Sequence, residues 1–536
     1  MDTNLESRQN QLITTDDTEA RTGVDAEAGI VNEICPAGPG PALLAGYSSW
    51  TVSEITELIK RGGNIGVIPG DFVVGDPSPE DGWAITSCVS AIPWYWAHGL
   101  KGEFVQGSNV FDVAKRAGIP WKWNQNAIQC LALYGHTLGA DTLHPGVNRL
   151  LPSSKVWIEG GCVHTKELDY WGGLEWDKTA DPDSALDILK QSFLDCGPSD
   201  GMLLSLSSGY DSRVLLALCA SYGITPRLAV MGFADTTDVV VAKKLADVVG
   251  MPIDIVPILA ADYLVHGETI ALVTSGVKTA ANWHTWLYGL GIKPKGKMHF
   301  VGSNGEFARS FFLDSPGLHT LTKRMPGSVA EKYFLAKLVR RYLKFSRHNH
   351  LARDGGLQNV IRLSGLVRGE AFMTGFSLLP TLDLFYARSR VRHFIGAGLA
   401  CYSDYSSPRS PFLDGRWIRA VAGLFRALKD RSQYHRYCIE RLSPNLLSLP
   451  FNAPLDGGVM VGYSPFSDLV AERSTRDLIV ESKELDHLIT RDDRVRIVED
   501  KRCDHAEEFS FFLMLHYASM ISKKSSSNLS VSRKTP

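Results

Sequence analysis

The chain has 536 residues, 44% of them hydrophobic and 21% charged, and a formal net charge of -2. That length exceeds what one hydrophobic core usually supports, so two domains are expected, and the near-neutral charge excludes broad attraction to nucleic acid or anionic lipid. No apolar run reaches spanning length and no basic start with an apolar stretch opens the chain, so a cytoplasmic protein with no nucleic-acid and no membrane partner is expected.

In chain order, residues 1–40 read as a disordered leader ending in the Pro/Gly cluster ICPAGPGPA. Residues 41–175 read as a sheet-rich α+β domain. A helix is predicted over 51–61, capped by Thr51 or Ser53, with strand-like runs at 63–75, 83–89 and 154–161. From 180 the pattern changes. A helix over 180–197 leads into the apolar strand GMLLSLS, the loop SGYDSR, a helix over 214–223 and a strand over 226–233. A helix over 239–250 and strands over 252–258 and 298–302 complete the alternation that builds a doubly wound parallel sheet. After about 320 the pattern is mostly helical, so a domain over 180–520 with a helical extension is expected, followed by a mobile tail over 521–536. The nine cysteines are scattered, none closer than Cys196 and Cys219, which argues against a disulfide framework and a zinc site.

The sharpest signal is Ser207-Ser208-Gly209-Tyr210-Asp211-Ser212, where an apolar strand meets a helix. Small residues there let backbone N–H groups face an anion, the hydroxyls of Ser207 and Ser212 add donors, and Asp211 can hold Mg²⁺. The plain alternative is a Ser/Gly turn followed by an Asp cap. The hexamer resembles the pyrophosphate loop of the N-type ATP pyrophosphatases, with Ser208 in place of a glycine. Downstream, RLAVMGF followed by Asp238, MHFVG running into Ser303-Asn304-Gly305-Glu306, and Arg409-Ser410-Pro411-Phe412-Leu413-Asp414 resemble, in order, elements of the asparagine-synthetase-like family. The stretches GDFVV, SAIPWYWA and LHPGVNRLLPSSKV are similar to the glutaminase domain of that family.

The resemblance implies an amino-terminal Ntn-hydrolase-like α+β sandwich and a PP-loop synthetase domain that binds ATP and Mg²⁺. It implies catalytic roles for Asp211, Glu306 and Arg409, with Asp211 and Glu306 on the metal. Ser207, Ser208, Gly209, Tyr210, Asp211, Ser212, Gly232 and Gly302 would then contact the nucleotide. The implied reaction adenylates a small-molecule or peptide carboxylate and passes the acyl group to ammonia or an amine. A homodimer is left open. A lactam-forming or lasso-peptide cyclase using the substrate's own amine shares every motif, and a non-catalytic scaffold is the third reading.

The chain also departs from the family pattern. Residue 2 is Asp, not the terminal cysteine a glutaminase uses as nucleophile, and Cys35 could become terminal only by cleavage after Ile34. Ser407 stands where the family has a Glu, and the stretch 450–458 holds no Lys. Gly291–Met298 nearly spells a Walker A loop but precedes a strand and lacks its Ser/Thr, so it reads as a basic loop. His348-Asn349-His350 reads as surface histidines.

Overall fold

The computed structural model describes residues 40–179, 181–292, 297–309, 311–312, 325–329, 377–454, 461–462, 465–499 and 505–532, with isolated positions between 332 and 365. The leader up to residue 39, the His348–His350 stretch and part of the Walker-like loop lie outside the described residues. The chain is mixed α/β, with antiparallel sheets in its amino-terminal region and a parallel sheet later.

The amino-terminal region contains β1 (Ala42–Tyr47), helix α1 (Val52–Lys60), β2 (Asp71–Asp76), β3 (Trp83–Thr86), β4 (Tyr95–His98) and β5 (Phe104–Gly107). Helices α2 (Val110–Arg116) and α3 (Gln125–Tyr134) and strands β6 (Asn148–Arg149), β7 (Ser154–Glu159) and β8 (Cys162–Glu167) follow. One sheet has the order β1-β2-β3-β7-β8 and the other β5-β4-β6. In β7 the alternation is direct: Ser154, Val156 and Ile158 are buried while the residues between them are not. Leu44, Val73, Val156 and Phe104 share one buried cluster, so the two sheets contribute to a common core. Thr51 caps α1, accepting from the Glu54 N–H while Glu54 accepts from the Thr51 N–H, a reciprocal box that fixes the helix start. The run 63–75 is a strand only from Asp71. Ile65–Val67 forms a 3₁₀ turn instead, because the Asn64 side chain caps the Gly66 N–H at 2.7 Å and Pro69 lacks a ladder donor.

The second region begins with α4 (Pro182–Asp195), capped by Asp181 with Pro182 in the first turn. The alternation then runs β9 (Leu203–Ser205), α5 (Tyr210–Ser221), β10 (Arg227–Met231), α6 (Thr237–Val248) and β11 (Ile253–Val256). Helix α7 (His284–Ile292), β12 (Lys297–Phe300), α8 (Leu378–Phe385), the π-helical segment Tyr386–Ile395 and β13 (Ser406–Arg409) come next. All pairings in the five-stranded sheet are parallel, in the order β11-β10-β9-β12-β13. Helices α9 (Gly415–Gly423), α10 (Gln433–Leu442) and α11 (His505–Ser532) follow later in the chain. Two boundaries differ from expectation. Helix α5 starts at Tyr210 rather than 214, because Gly209 takes the extended cap conformation and leaves Asp211 inside the first turn. The last helix runs on through Ser532, past the tail boundary drawn at 521.

Besides the amino-terminal cluster, the two regions share a large core. Tyr47, Ile55, Phe72 and Trp171 belong to the same buried cluster as Leu204, Leu216, Phe412 and Trp417. Polar contacts reinforce the join. Tyr47 donates from its hydroxyl to the Ser410 carbonyl at 2.6 Å and accepts from the Ser410 N–H at 3.0 Å. Arg149 donates to the Arg392 carbonyl, and Arg392 donates back to those of Gly139 and Leu150. Each guanidinium is buried, and these carbonyls offset its lost hydration. Among the described residues no helix is long and apolar enough to cross a membrane.

Candidate functional site

β9 lies in the middle of the parallel sheet, so the loop after it opens at the carboxyl edge, the position where open α/β sheets bind ligands. The loop folds back on itself. The Ser207 N–H donates to Ser212 Oγ at 3.1 Å, the two hydroxyls are 3.0 Å apart, and the Gly209 N–H donates to Ser207 Oγ at 3.2 Å. The hydroxyls expected to stand ready for an anion are therefore engaged with each other. Ser208 is engaged as well: its N–H and its hydroxyl both donate to Asp238, in the first turn of α6, the N–H at 3.0 Å. What remains is the start of α5. Gly209 gives it no side-chain cap, so its first-turn N–H groups and the positive end of its dipole face outward.

Beneath the loop, Arg213 is wholly buried and donates to the carbonyls of Ser208, Leu446, Leu449 and Pro450. Phe451 lies 3.8 Å from that guanidinium and stacks on Tyr210 at 3.7 Å. Burial pushes the Arg213 pKa down to about 10. These contacts hold the segment 446–451 against the start of α5.

Asp211 meets the turn that follows β12, the strand beside β9. Asn304 adopts a left-handed conformation there (φ 74°) and donates from Nδ2 to the Phe412 carbonyl at 2.6 Å, which fixes the turn. The glycines on either side let it approach α5. A Cβ on Gly302 would lie 2.9 Å from Asp211 Cβ, and one on Gly305 would overlap the Asp211 carboxylate. Glu306 follows directly and accepts from the Tyr386 hydroxyl at 2.9 Å. Burial first, and then the negative charge of Asp211, hold the Glu306 carboxyl above its usual range. The two acidic residues predicted for this edge thus come together electrostatically.

One partner has no signal in the sequence. His435, on α10, places Nε2 2.8 Å from Asp211 Oδ1 without hydrogen-bond alignment. Two consecutive left-handed residues, Arg431 (φ 47°) and Ser432 (φ 58°), precede α10 and set its entry.

No protein-family model matches this chain, and no curated protein does.

Gly232 ends β10 at φ 141°, donating to the Val256 carbonyl at 3.0 Å, where a Cβ would sit 2.7 Å from Thr236 Oγ1. It stands at the same sheet edge as the loop after β9. Arg409 does not join the acidic pair. Its guanidinium donates to the Cys196 carbonyl beyond the end of α4 at 2.5 Å and lies 5.5 Å from the Tyr47 ring. There it satisfies a helix C-terminus, and no described contact links it to Asp211 or Glu306.

Among the described residues no group of three or more His, Cys, Asp or Glu could hold a metal ion. Two hard carboxylate donors nevertheless suit Mg²⁺, which binds through one or two carboxylates and completes its octahedron with phosphate oxygens and water. The donor set fits that ion when a phosphate ligand is bound beside it.

Proposed function

We propose that the protein is an ATP-dependent, AMP-forming synthetase that adenylates a substrate carboxylate and transfers the acyl group to ammonia or an amine. Within this reading the amino-terminal region is a degenerate Ntn-hydrolase-like glutaminase domain and the parallel sheet a PP-loop domain of the asparagine-synthetase type. The observation that carries it is the meeting of Asp211 and the turn bearing Glu306 at the carboxyl edge of the sheet, beside an uncapped helix start.

The residues divide the work. The start of α5 receives the negative charge of the leaving pyrophosphate. Asp211 and Glu306 would hold Mg²⁺, which supplies neutralisation of phosphate charge. Tyr386 fixes the Glu306 carboxylate, and His435 lies against that of Asp211. Gly232 leaves room for the base near the end of β10. The carboxylate attacks the α-phosphorus, pyrophosphate departs, and the nitrogen nucleophile displaces AMP, so catalysis is chiefly positioning and charge neutralisation. Arg409 has no part in this reading, given its bond to Cys196.

Exchange of labelled pyrophosphate into ATP, with a panel of carboxylates, tests the proposal. Wild-type protein is expected to exchange in a Mg²⁺-dependent manner, and Asp211→Asn is expected to lose at least a hundredfold. Near-normal exchange in Asp211→Asn misplaces the site, and release of ADP with phosphate replaces the adenylate by an acyl phosphate. The seating of Asp238 on Ser208 favours a second reading, a non-catalytic scaffold. No exchange with any carboxylate, together with no pyrophosphate binding, is the outcome that reading expects.

A further inference from the structure

A cavity of about 280 Å³ lies between α3, the turn before α7, the π-helical segment and the start of α11, lined by Leu131, Tyr134, Asn282, Arg390, Phe394 and Phe511 among others. Its walls are mainly apolar and aromatic, and its charge comes from one residue. The π-helical segment carries three arginines at alternate positions. Arg388 pairs with Glu167 at 2.6 Å and Arg392 is bound by carbonyls, but Arg390 has no anionic partner among the described residues. Its guanidinium instead lies 4.4 Å from the Phe394 ring and 4.7 Å from Phe311.

A second cation lies nearby. Lys278 is only 3% exposed, its Nζ 5.2 Å from that same Phe394 ring, and no hydrogen bond or ion pair satisfies it among the described residues. Gly398 makes space for it, since a Cβ there would sit 2.7 Å from Nζ. Burial, with the charge of Arg390, holds the Lys278 pKa below the usual lysine range. A buried, unpaired cation is costly, and the cost falls when an anion enters beside it. Arg390 in the cavity wall and Lys278 against the Phe394 ring, with no carboxylate paired to either among the described residues, make this side of the cavity positive.

A chain of ring contacts links the cavity wall to the acidic site. Phe311, against which Arg390 packs, is 4.8 Å from the Tyr386 ring, and Tyr386 donates to Glu306. Two side chains, Phe311 and Tyr386, thus stand between Arg390 and the acidic pair.

We propose that this cavity binds an organic monocarboxylate with an apolar, preferably one-ring, body, its carboxylate on Arg390, and that this is the acyl substrate. The word substrate rests on the synthetase reading; the binding itself does not. The volume is small for a ligand pocket, which suits a compact acid, and planar guanidinium recognition of a carboxylate supplies the selectivity.

The test is calorimetric titration of the full chain with phenylacetate and with neutral phenylacetamide, without ATP or Mg²⁺. Saturable phenylacetate binding is expected, at least tenfold tighter than the amide. Arg390→Met is expected to weaken it at least tenfold and Lys278→Met severalfold, with unchanged near-ultraviolet circular dichroism. Should Arg390→Met not fold, Asn282→Asp serves instead, because it places a competing carboxylate in the cavity and is expected to abolish binding. Absence of saturable binding, equal affinity for acid and amide, or wild-type affinity in the folded variants overturns the proposal. Arg390-dependent binding without pyrophosphate exchange would leave the pocket standing and remove the synthetase reading.

Discussion

Ser208 donates two hydrogen bonds to the carboxylate of Asp238, one from its backbone N–H at 3.0 Å and one from its hydroxyl. A carboxylate is thus already seated on donors that a phosphate would use, and the two anions must compete. Asp238→Ala is expected to tighten pyrophosphate binding severalfold by calorimetry. Because Asp238 is itself solvent-exposed, the change should cost only about 1 kcal/mol of stability. Unaltered pyrophosphate affinity would mean that the anion does not reach Ser208.

The closeness of the turn after β12 to Asp211 depends on a missing side chain. In Gly305→Ala the new methyl group overlaps the Asp211 carboxylate, which must shift from its place. Pyrophosphate exchange is expected to fall at least tenfold and to need more Mg²⁺, while the melting temperature drops by only a few degrees. A normal Mg²⁺ requirement would show that Asp211 does not hold the ion.

Ser205, His299 and Ser406 form a buried polar row across β9, β12 and β13, with His299 Nε2 2.6 Å from Ser205 Oγ and Nδ1 3.3 Å from Ser406 Oγ. Burial lowers the His299 pKa from 6.5 to about 3. A depressed pKa means that the unfolded chain takes the proton first. The stability is present above pH 6.5 and is lost as pH falls towards 3, by roughly 4 to 5 kcal/mol over the full window. His299→Gln should flatten that part of the acid dependence in urea titrations. If wild type and variant lose stability in parallel between pH 6 and 4, the imidazole is not held neutral.

Within the degenerate-glutaminase reading, no glutamate should form from labelled glutamine, with or without ATP, and Cys35→Ala should change nothing. The amino-terminal region is nonetheless needed. Part of its core is shared with the parallel-sheet region, so deletion of residues 41–175 should yield insoluble protein rather than a trimmed, active one. A soluble, folded deletion product, or glutamate production that Cys35→Ala abolishes, would contradict this account.

Four strands of the parallel sheet, β9 to β12, were legible because each is an apolar run of strand length between helix-period segments, whereas β13, Ser-Ser-Pro-Arg, carries no apolar signal and was not expected. Once that alternation is read, Asp211 and Glu306 follow strands that can be neighbours, so their shared edge could be expected. Side-chain direction was not legible. Arg409 ends β13, and its guanidinium reaches back to Cys196, which only packing decides. The run 63–75 misled because Ile65, Val67 and Ile68 are apolar without a strand's context, and Asn64 and Pro69 fold them into a turn. Asp238, His435 and the carbonyls around Arg213 are partners brought from distant sequence, and no local pattern announces such pairs.

The bond between Tyr47 and Ser410 joins positions 363 residues apart. At roughly 5–20 residues per second, a ribosome needs about 20 to 70 s to deliver the second partner after the first. During that interval β12 has no β13 beside it, and the inner surface of α1 and β2 lacks Phe412 and Trp417. The nascent chain therefore carries uncovered apolar surface for most of its synthesis, and an open β12 edge from Phe300 until Ser406 is made. Its yield in a cell should depend on chaperones that bind early, and slowing translation after residue 410 should matter far less than slowing it before.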